Sequence, residues 1–296
     1  MKPDENPSPR AREDAVRTPP PTSDRIVPKV AHTVLVIWCI LVIAPMLWTV
    51  LSSFKTNTEI FSEPFGLPAS WSFENYANAW TQAQIGQAFF NTVVVVGSAL
   101  VLVMLLGAMC AYVLGRFEFP GRRAIYYLML AGLTFPVFLA IVPLFFVLEN
   151  IGLRGTLPGL ILTYVAFALP FTVFFLYSFF RSLPNEMAEA AKIDGAGEWR
   201  TFFQVMLPMA RPGMASVAIF NFLGLWNQFI LPVALNTNQD NWVLSQRLAS
   251  FVSSAGYRSN FDQMFAAVVI TIVPVLVVYV IFQRQLQGSV SQGTMK

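Results

Sequence analysis

The chain has 296 residues, of which 55% are hydrophobic and only 12% charged, and it carries 27 phenylalanines. A soluble protein would hold roughly twice that charge fraction, so a water-soluble enzyme or binding module is excluded. The formal net charge of +3 decides little, because in a membrane protein the placement of Lys and Arg matters more than their sum.

Residues 1–29, with PSPRARED and RTPPPTSDR, are rich in proline and charge and have almost nothing to bury. That composition predicts a disordered tail. Six apolar stretches follow, near 32–53, 91–113, 124–148, 158–181, 213–235 and 264–283. Each reaches the ~20 residues that a helix needs to cross a bilayer. The expectation is an all-α membrane domain over 30–296, with six transmembrane helices and a polar segment, 182–212, between the fourth and fifth. The first stretch is too long, and its charged prelude too extended, for a cleaved signal peptide. Pro45, Pro136, Pro143, Pro170, Pro232 and Pro274 fall inside the stretches. Each removes a backbone donor, which suits kinked, packed helices better than a simple anchor.

Fifteen of the 19 Lys and Arg residues lie on one side of these spans. They occupy the tail, the loop with Arg116, Arg122 and Arg123, the segment with Arg181, Lys192, Arg200 and Arg211, and the end with Arg284 and Lys296. Lys55, Arg154, Arg247 and Arg258 lie on the other side. The positive-inside rule then places both termini, and the segment 182–212, in the cytoplasm. Cys39 and Cys110 sit within apolar stretches and read as small buried hydrophobes. With His32 alone, no metal-ligand set is present.

The segment 182–212 predicts two short helices meeting at an angle. Ser182, Pro184, Asn185 and Glu186 are start signals, and Gly195 with Gly197 ends the first helix. Leu183, Met187, Ala190 and Ala191 share one face, narrow enough at Ala190 and Ala191 for another backbone to come close. From Glu198 a second helix presents Trp199, Phe202, Phe203 and Met206, and Leu207-Pro208 is expected to stop it. Such a pair could lie on the membrane surface. Glu186, Glu189 and Asp194 against Lys192 suit an anionic leaflet poorly and favour docking on a protein partner.

Asn221, Trp226, Asn227 and Gln228 lie in the fifth stretch, and polar groups at membrane depth point inward. Two readings stand side by side. They line a solute pathway, with Trp226 able to stack on a pyranose ring, or they hydrogen bond between helices as packing. None of the five lysines follows a glycine, so there is no phosphate-binding loop and any ATP hydrolysis belongs to another polypeptide. The spans lack the Asp, Glu or His of ion-coupled secondary transport, no internal repeat is seen, and no catalytic cluster appears. A stand-alone secondary transporter or a membrane enzyme is disfavoured, and nothing points to nucleic acid.

Glu189-Ala190-Ala191, then Gly195, then Val205-x-Leu207-Pro208 resembles the EAA loop of membrane subunits of binding-protein-dependent ABC importers. The extension EAAKIDGA, with Asp194, is similar to the carbohydrate branch. PMLWTVLSSFKTNTEIF (45–61), FENYANAW (73–80), AYVLGRFEFPGRR (111–123), GLRGTLPGLILTYVAFALPF (152–171) and Trp226-Asn227 resemble sugar permeases in register. So does the ending QGSVSQGTMK, although Ser289, Ser291, Gln292 and Thr294 depart from the family's usual tail. The likeness is to the maltose-transporter-type smaller permease, a type I importer subunit with six spans and both termini cytoplasmic.

The resemblance implies a sugar-importer subunit in the bacterial cytoplasmic membrane that binds no cofactor itself. Its partners would be a second permease in a heterodimer, a cytoplasmic ABC ATPase dimer that hydrolyses ATP, and an extracytoplasmic sugar-binding protein. Glu189 would face a basic residue of the ATPase, Ala190 and Ala191 would allow close approach, and Gly195, after Asp194, would make the bend. Phe202, Leu207 and Pro208 would tie the loop to the bundle. The outer loops 54–90 and 236–263 would meet the binding protein. The solute is expected to be a mono- or oligosaccharide, with glycerol 3-phosphate or a polyol as the alternative.

Overall fold

A computed structural model describes residues 23–258 and 260–293, and every regular element among them is helical. Residues 1–22, most of the expected tail, and 294–296 lie outside the described residues. The chain divides into two units after Leu51. The first consists of α1 (Ser23–Ser52), which begins inside the expected tail. Once a helix has nucleated, each further residue gains a hydrogen bond, so the apolar span propagates toward the N-terminus. Its apolar side chains from Val30 to Leu47 are exposed.

The second unit opens with the loop 54–90's helices α2 (Asn57–Ser62) and α3 (Glu74–Thr81). The long helices follow: α4 (Ile85–Arg116), α5 (Arg122–Thr134), α6 (Val137–Asn150) and α7 (Leu157–Ser182). After the polar segment come α8 (Asn185–Ile193), α9 (Arg211–Trp226) and α10 (Ile230–Leu235). The chain closes with α11 (Leu244–Arg258) and α12 (Phe261–Gly293).

The core is the long seam between α4 and α7. Val95, Ala99, Val103, Ala108 and Ala111 of α4 meet Val173, Leu176 and Phe180 of α7, all fully buried. Small residues on α4 let the two backbones close in, which is how helices pack where lipid offers no hydrophobic drive. At Gly107 a Cβ would stand 2.5 Å from Thr172 Cγ2, so no larger residue fits.

Among the described residues four helices are long and apolar enough to cross a membrane: the Pro28–Ser52 part of α1, α4, α7, and Phe261–Gln283 of α12. The third expected span is not one straight helix, because α5 and α6 bend by 107° at their junction. The cause is Phe135-Pro136. A residue before proline is pushed out of the helical region, and Phe135 takes φ −72° and ψ 123°. The fifth expected span is also interrupted. α9 has 16 residues, about 24 Å of helix, and Asn227–Phe229 separate it from α10.

Candidate functional site

The polar segment folds as a helix, a bend and a second helical run. α8 ends in a Schellman arrangement: Ala196 N donates to Ala191 O (2.9 Å) and Gly195 N to Lys192 O (3.0 Å). Gly195 sits at φ +78°, where an L side chain is strained, so the bend needs glycine. Across the bend Lys192 Nζ pairs with Glu198 Oε1 at 2.8 Å. That hydrogen bond and charge raise the lysine's pKa above its usual value. Gly197, by contrast, has ordinary backbone angles (φ −70°) and open space around it.

Beyond Gly197 the chain runs through Glu198–Arg200, Thr201–Met206 and Leu207–Met209 without a break. The run ends at Met209, one residue past Leu207-Pro208 and close to the expected stop, with a turn at Ala210 before α9. The turn before Pro208 widens to π-helical bonding, with Leu207 N donating to Phe202 O. Proline has no N–H and its ring clashes with the carbonyl four residues back, and a π turn relieves both problems.

The two halves differ in exposure. Glu186, Met187, Glu189, Ala190 and Asp194 are exposed, and Ile193 stands out at 86%. Ala191 is only 8% exposed and packs into its own chain. Of the two alanines expected to admit a partner, only Ala190 is open, because Leu183, Ala188 and Ala191 form the inward side. Phe202 and Met206 are buried, and Leu207 and Pro208 are half-buried. The Phe202 ring lies 5.0 Å from Tyr112 of α4 and 6.3 Å from Phe180 of α7. An outward-facing α8 is thus joined to the two central helices through one aromatic cluster.

Arg116, at the end of α4, fixes the other side of α8. Its Nη2 donates to Leu183 O (2.6 Å) and Pro184 O (3.4 Å), and its Nη1 donates to Asn185 Oδ1. In the sequence Arg116 counts only as a topogenic charge, and Tyr112 as one more apolar-stretch residue. The signal available was their position on the last turns of an apolar stretch, facing the polar segment.

The polar residues of the fifth stretch do not form one cluster. Asn221 is 5% exposed and donates to Thr172 Oγ1 (2.8 Å) and Met104 Sδ (3.6 Å), bridging α9 to α7 and α4. Trp226 is 6% exposed, and its Nε1 donates to Thr271 O of α12 (3.2 Å). Both act as interhelical packing in this conformation. Asn227 is exposed and bonds back to Leu223 O (2.9 Å). Gln228 uses its Oε1 to accept from Phe229 N (3.1 Å), while its carbonyl accepts from Ser245 Oγ (2.8 Å).

At the opposite end the two loops are stitched down. Lys55, 1% exposed, donates from Nζ to Glu63 O (2.9 Å) and Pro64 O (3.1 Å). Asn75 Nδ2 donates to Ser53 O and Lys55 O (3.0 and 2.9 Å). Asn57 Oδ1 accepts from Phe261 N (2.9 Å) and Asp262 N (3.2 Å), capping the start of α12. In the second loop Asn91 of α4 donates to Asp240 O and Trp242 O (2.9 and 3.0 Å). Leu244 N donates to Thr92 Oγ1 at 2.7 Å.

Residues 103–292 match the family described as binding-protein-dependent transport system inner membrane component. Over 275 residues the chain is 70% identical to the diacetylchitobiose uptake system permease protein NgcG of Streptomyces coelicolor, covering 93% of this chain and 91% of that one. It is 32% identical over 252 residues to the trehalose transport system permease protein SugB of Mycobacterium tuberculosis, covering 85% and 92%. Among solved structures, a chain of a bacterial ABC transporter involved in the import of the acidic polysaccharide alginate superposes with a TM-score of 0.76. That match is 22% identical and covers 88% of this chain and 97% of the other. A second, of a bacterial alginate ABC transporter in complex with an alginate pentasaccharide-bound periplasmic protein, has a TM-score of 0.65 at 17% identity, covering 90% and 96%.

Proposed function

This chain belongs to the family of binding-protein-dependent transport system inner membrane components, and we propose that within it the chain is one half of the pore of an ATP-driven importer for an N-acetylated glucosamine disaccharide or its short oligomers. It is a multi-pass membrane permease subunit of a sugar importer and not an enzyme. The observation that carries the substrate is the 70% identity, across nearly both lengths, to a diacetylchitobiose uptake permease. Uncharged chemistry supports it. Among the described residues, and apart from Lys55, tied up in the outer loop, the buried polar side chains are serines, threonines and amides. They suit a neutral solute better than glycerol 3-phosphate.

Six spans complete the reading, with α5–α6 as the third and α9–α10 as the fifth, and both termini cytoplasmic. The asymmetry of Lys and Arg supports that orientation. A second permease would supply the other half of the pore, an ATPase dimer would hydrolyse ATP, and a binding protein would deliver sugar to the outer loops. Glu189, Ala190 and Asp194 would present the docking surface for the ATPase. Gly195 would set its angle, and Phe202, Leu207 and Pro208 would carry its displacement into α4 and α7. ATPase closure would then rock the bundle between inward- and outward-open states.

The test is uptake of radiolabelled diacetylchitobiose and its stimulation of ATP hydrolysis by the reconstituted importer. Wild type is compared with Glu189→Lys and Gly195→Pro. Uptake by wild type, and loss of both activities in variants that still assemble, is the expected result. Full stimulated hydrolysis in both variants would refute coupling through α8, and indifference to the disaccharide would refute the substrate.

A further inference from the structure

An open pocket of about 810 Å³ lies where the α4–α5 turn meets the end of α7. Arg122, Arg123 and Arg181 line it, together with a single carboxylate, Glu118. Glu118, in the link before α5, pairs with Arg122, which leaves an excess of two positive charges. Tyr177 supports the arginines: its hydroxyl accepts from Arg181 Nη1 (3.3 Å), and the Arg181 guanidinium lies 5.7 Å from its ring centre. Arg122 lines the same pocket beside Tyr177. The N-terminus of α5 opens on the same pocket behind Gly121, with no side chain capping its first amides. Arg122 N already donates to Phe119 O (3.3 Å), so the three guanidinium groups and the remaining N–H groups of the first turn make the receptor for a phosphate oxyanion.

A second feature narrows the ligand. α5 has no buried residue at all, and Ile125, Tyr127 and Leu128 are exposed directly beyond the pocket. A free phosphate would satisfy the arginines and leave this strip uncovered. A molecule bearing both a phosphate and hydrocarbon chains would satisfy both. Tyr126, Tyr127 and Tyr177 around the rim are the side chains that favour the level of lipid headgroups.

We propose that this pocket binds the headgroup phosphate of an anionic phospholipid, with the acyl chains lying along α5. The inference rests on the reading of this end of the spans as cytoplasmic only for which leaflet supplies the lipid. It is independent of the sugar and of the coupling at α8. Lys and Arg held near the surface of an anionic leaflet gain about 1 kcal/mol each.

The test is native mass spectrometry of the purified importer complex titrated with phosphatidylglycerol, phosphatidylcholine or inorganic phosphate. Wild type should retain phosphatidylglycerol in preference to phosphatidylcholine. Arg123→Gln with Arg181→Gln should weaken retention about thirtyfold, and Glu118→Gln should strengthen it about fivefold. If the double variant fails to assemble, Glu118→Gln still decides, because it adds net positive charge without removing a ligand. Equal retention of the two lipids, no response to Glu118→Gln, or displacement of the lipid by millimolar inorganic phosphate would each overturn the proposal. None of these readouts requires transport, so a failed substrate assignment would leave them intact.

Discussion

The rings of Phe202 and Tyr112 lie 5.0 Å apart, and this contact joins the polar segment to the longest buried helix of the bundle. Phe202 is 3% exposed, wedged between α4 and α7, whereas Trp199 and Phe203 on either side of it are exposed. Phe202 is thus the buried aromatic of the segment, and its removal tests how firmly the segment is held to the two helices.

Phe202→Ala should therefore cost stability and coupling together. Emptying a buried aromatic site costs about 3–5 kcal/mol, which a thermal melt of the detergent-solubilised complex will register. Phe202→Tyr or Phe202→Leu should recover most of the melt. Trp199→Ala, on the exposed side, should leave it nearly unchanged. Equal melts for Phe202→Ala and Trp199→Ala would show that the aromatic cluster does not hold the segment.

Gly195 and Gly197 look alike in the sequence and differ in the structure. Gly195 has φ +78°, and Gly197 has φ −70° with nothing near its missing side chain. Gly195→Ala should cost about 1–2 kcal/mol of local strain, and Gly197→Ala next to nothing. Hydrogen exchange across 185–200 would detect this as faster opening of α8 in the first variant alone. Matching exchange in the two variants would remove the bend from Gly195.

Much of this was legible from residues alone. Hydropathy and proline placement predicted the long helices, and the start and stop signals around Pro184 and Gly195 predicted α8. Three features were not legible, each for a physical reason. The 107° bend at Phe135-Pro136 depends on whether neighbours re-satisfy the freed carbonyls, and Pro170, at a similar depth in α7, produces no break. The π turn over Thr201–Met206, just before Pro208, leaves no mark in the spacing. Ala190 and Ala191 both read as open, since they are adjacent and equally small. Only the packing of α8, set by Arg116 at Leu183 and Asn185, turns one outward and the other inward.

Asn221 is a test of packing against pathway. Its amide donates to Thr172 Oγ1 at 2.8 Å, with both residues buried. Interhelical hydrogen bonds in membrane proteins average about 0.6 kcal/mol and reach about 1.7 kcal/mol. A double-mutant cycle with Asn221→Ala and Thr172→Val should return a coupling in that range, while the concentration of sugar giving half-maximal uptake stays within about twofold. Zero coupling with a large shift in that concentration would move Asn221 from the packing to the solute route.

Glu59 makes the 54–90 loop sensitive to acid. Its Oε2 accepts from Thr56 N at 2.8 Å and from Thr56 Oγ1 at 3.0 Å, and its Oε1 accepts from Ala69 N at 3.0 Å. These bonds, the Thr56 backbone foremost and Ala69 next, favour the charged carboxylate and hold its pKa below the usual value. With the folded pKa depressed, the stabilisation is fully present above the unfolded pKa of about 4.3. It is lost as pH falls from there through the folded value. Limited proteolysis of the 54–90 loop should show constant resistance near neutral pH and a decline in acid. Glu59→Gln keeps an acceptor but no charge, so its loop should be cut faster at pH 7 and should lack that acid-dependent decline. If the variant followed wild type across the whole range, the carboxylate would not be what fastens Thr56 to Ala69.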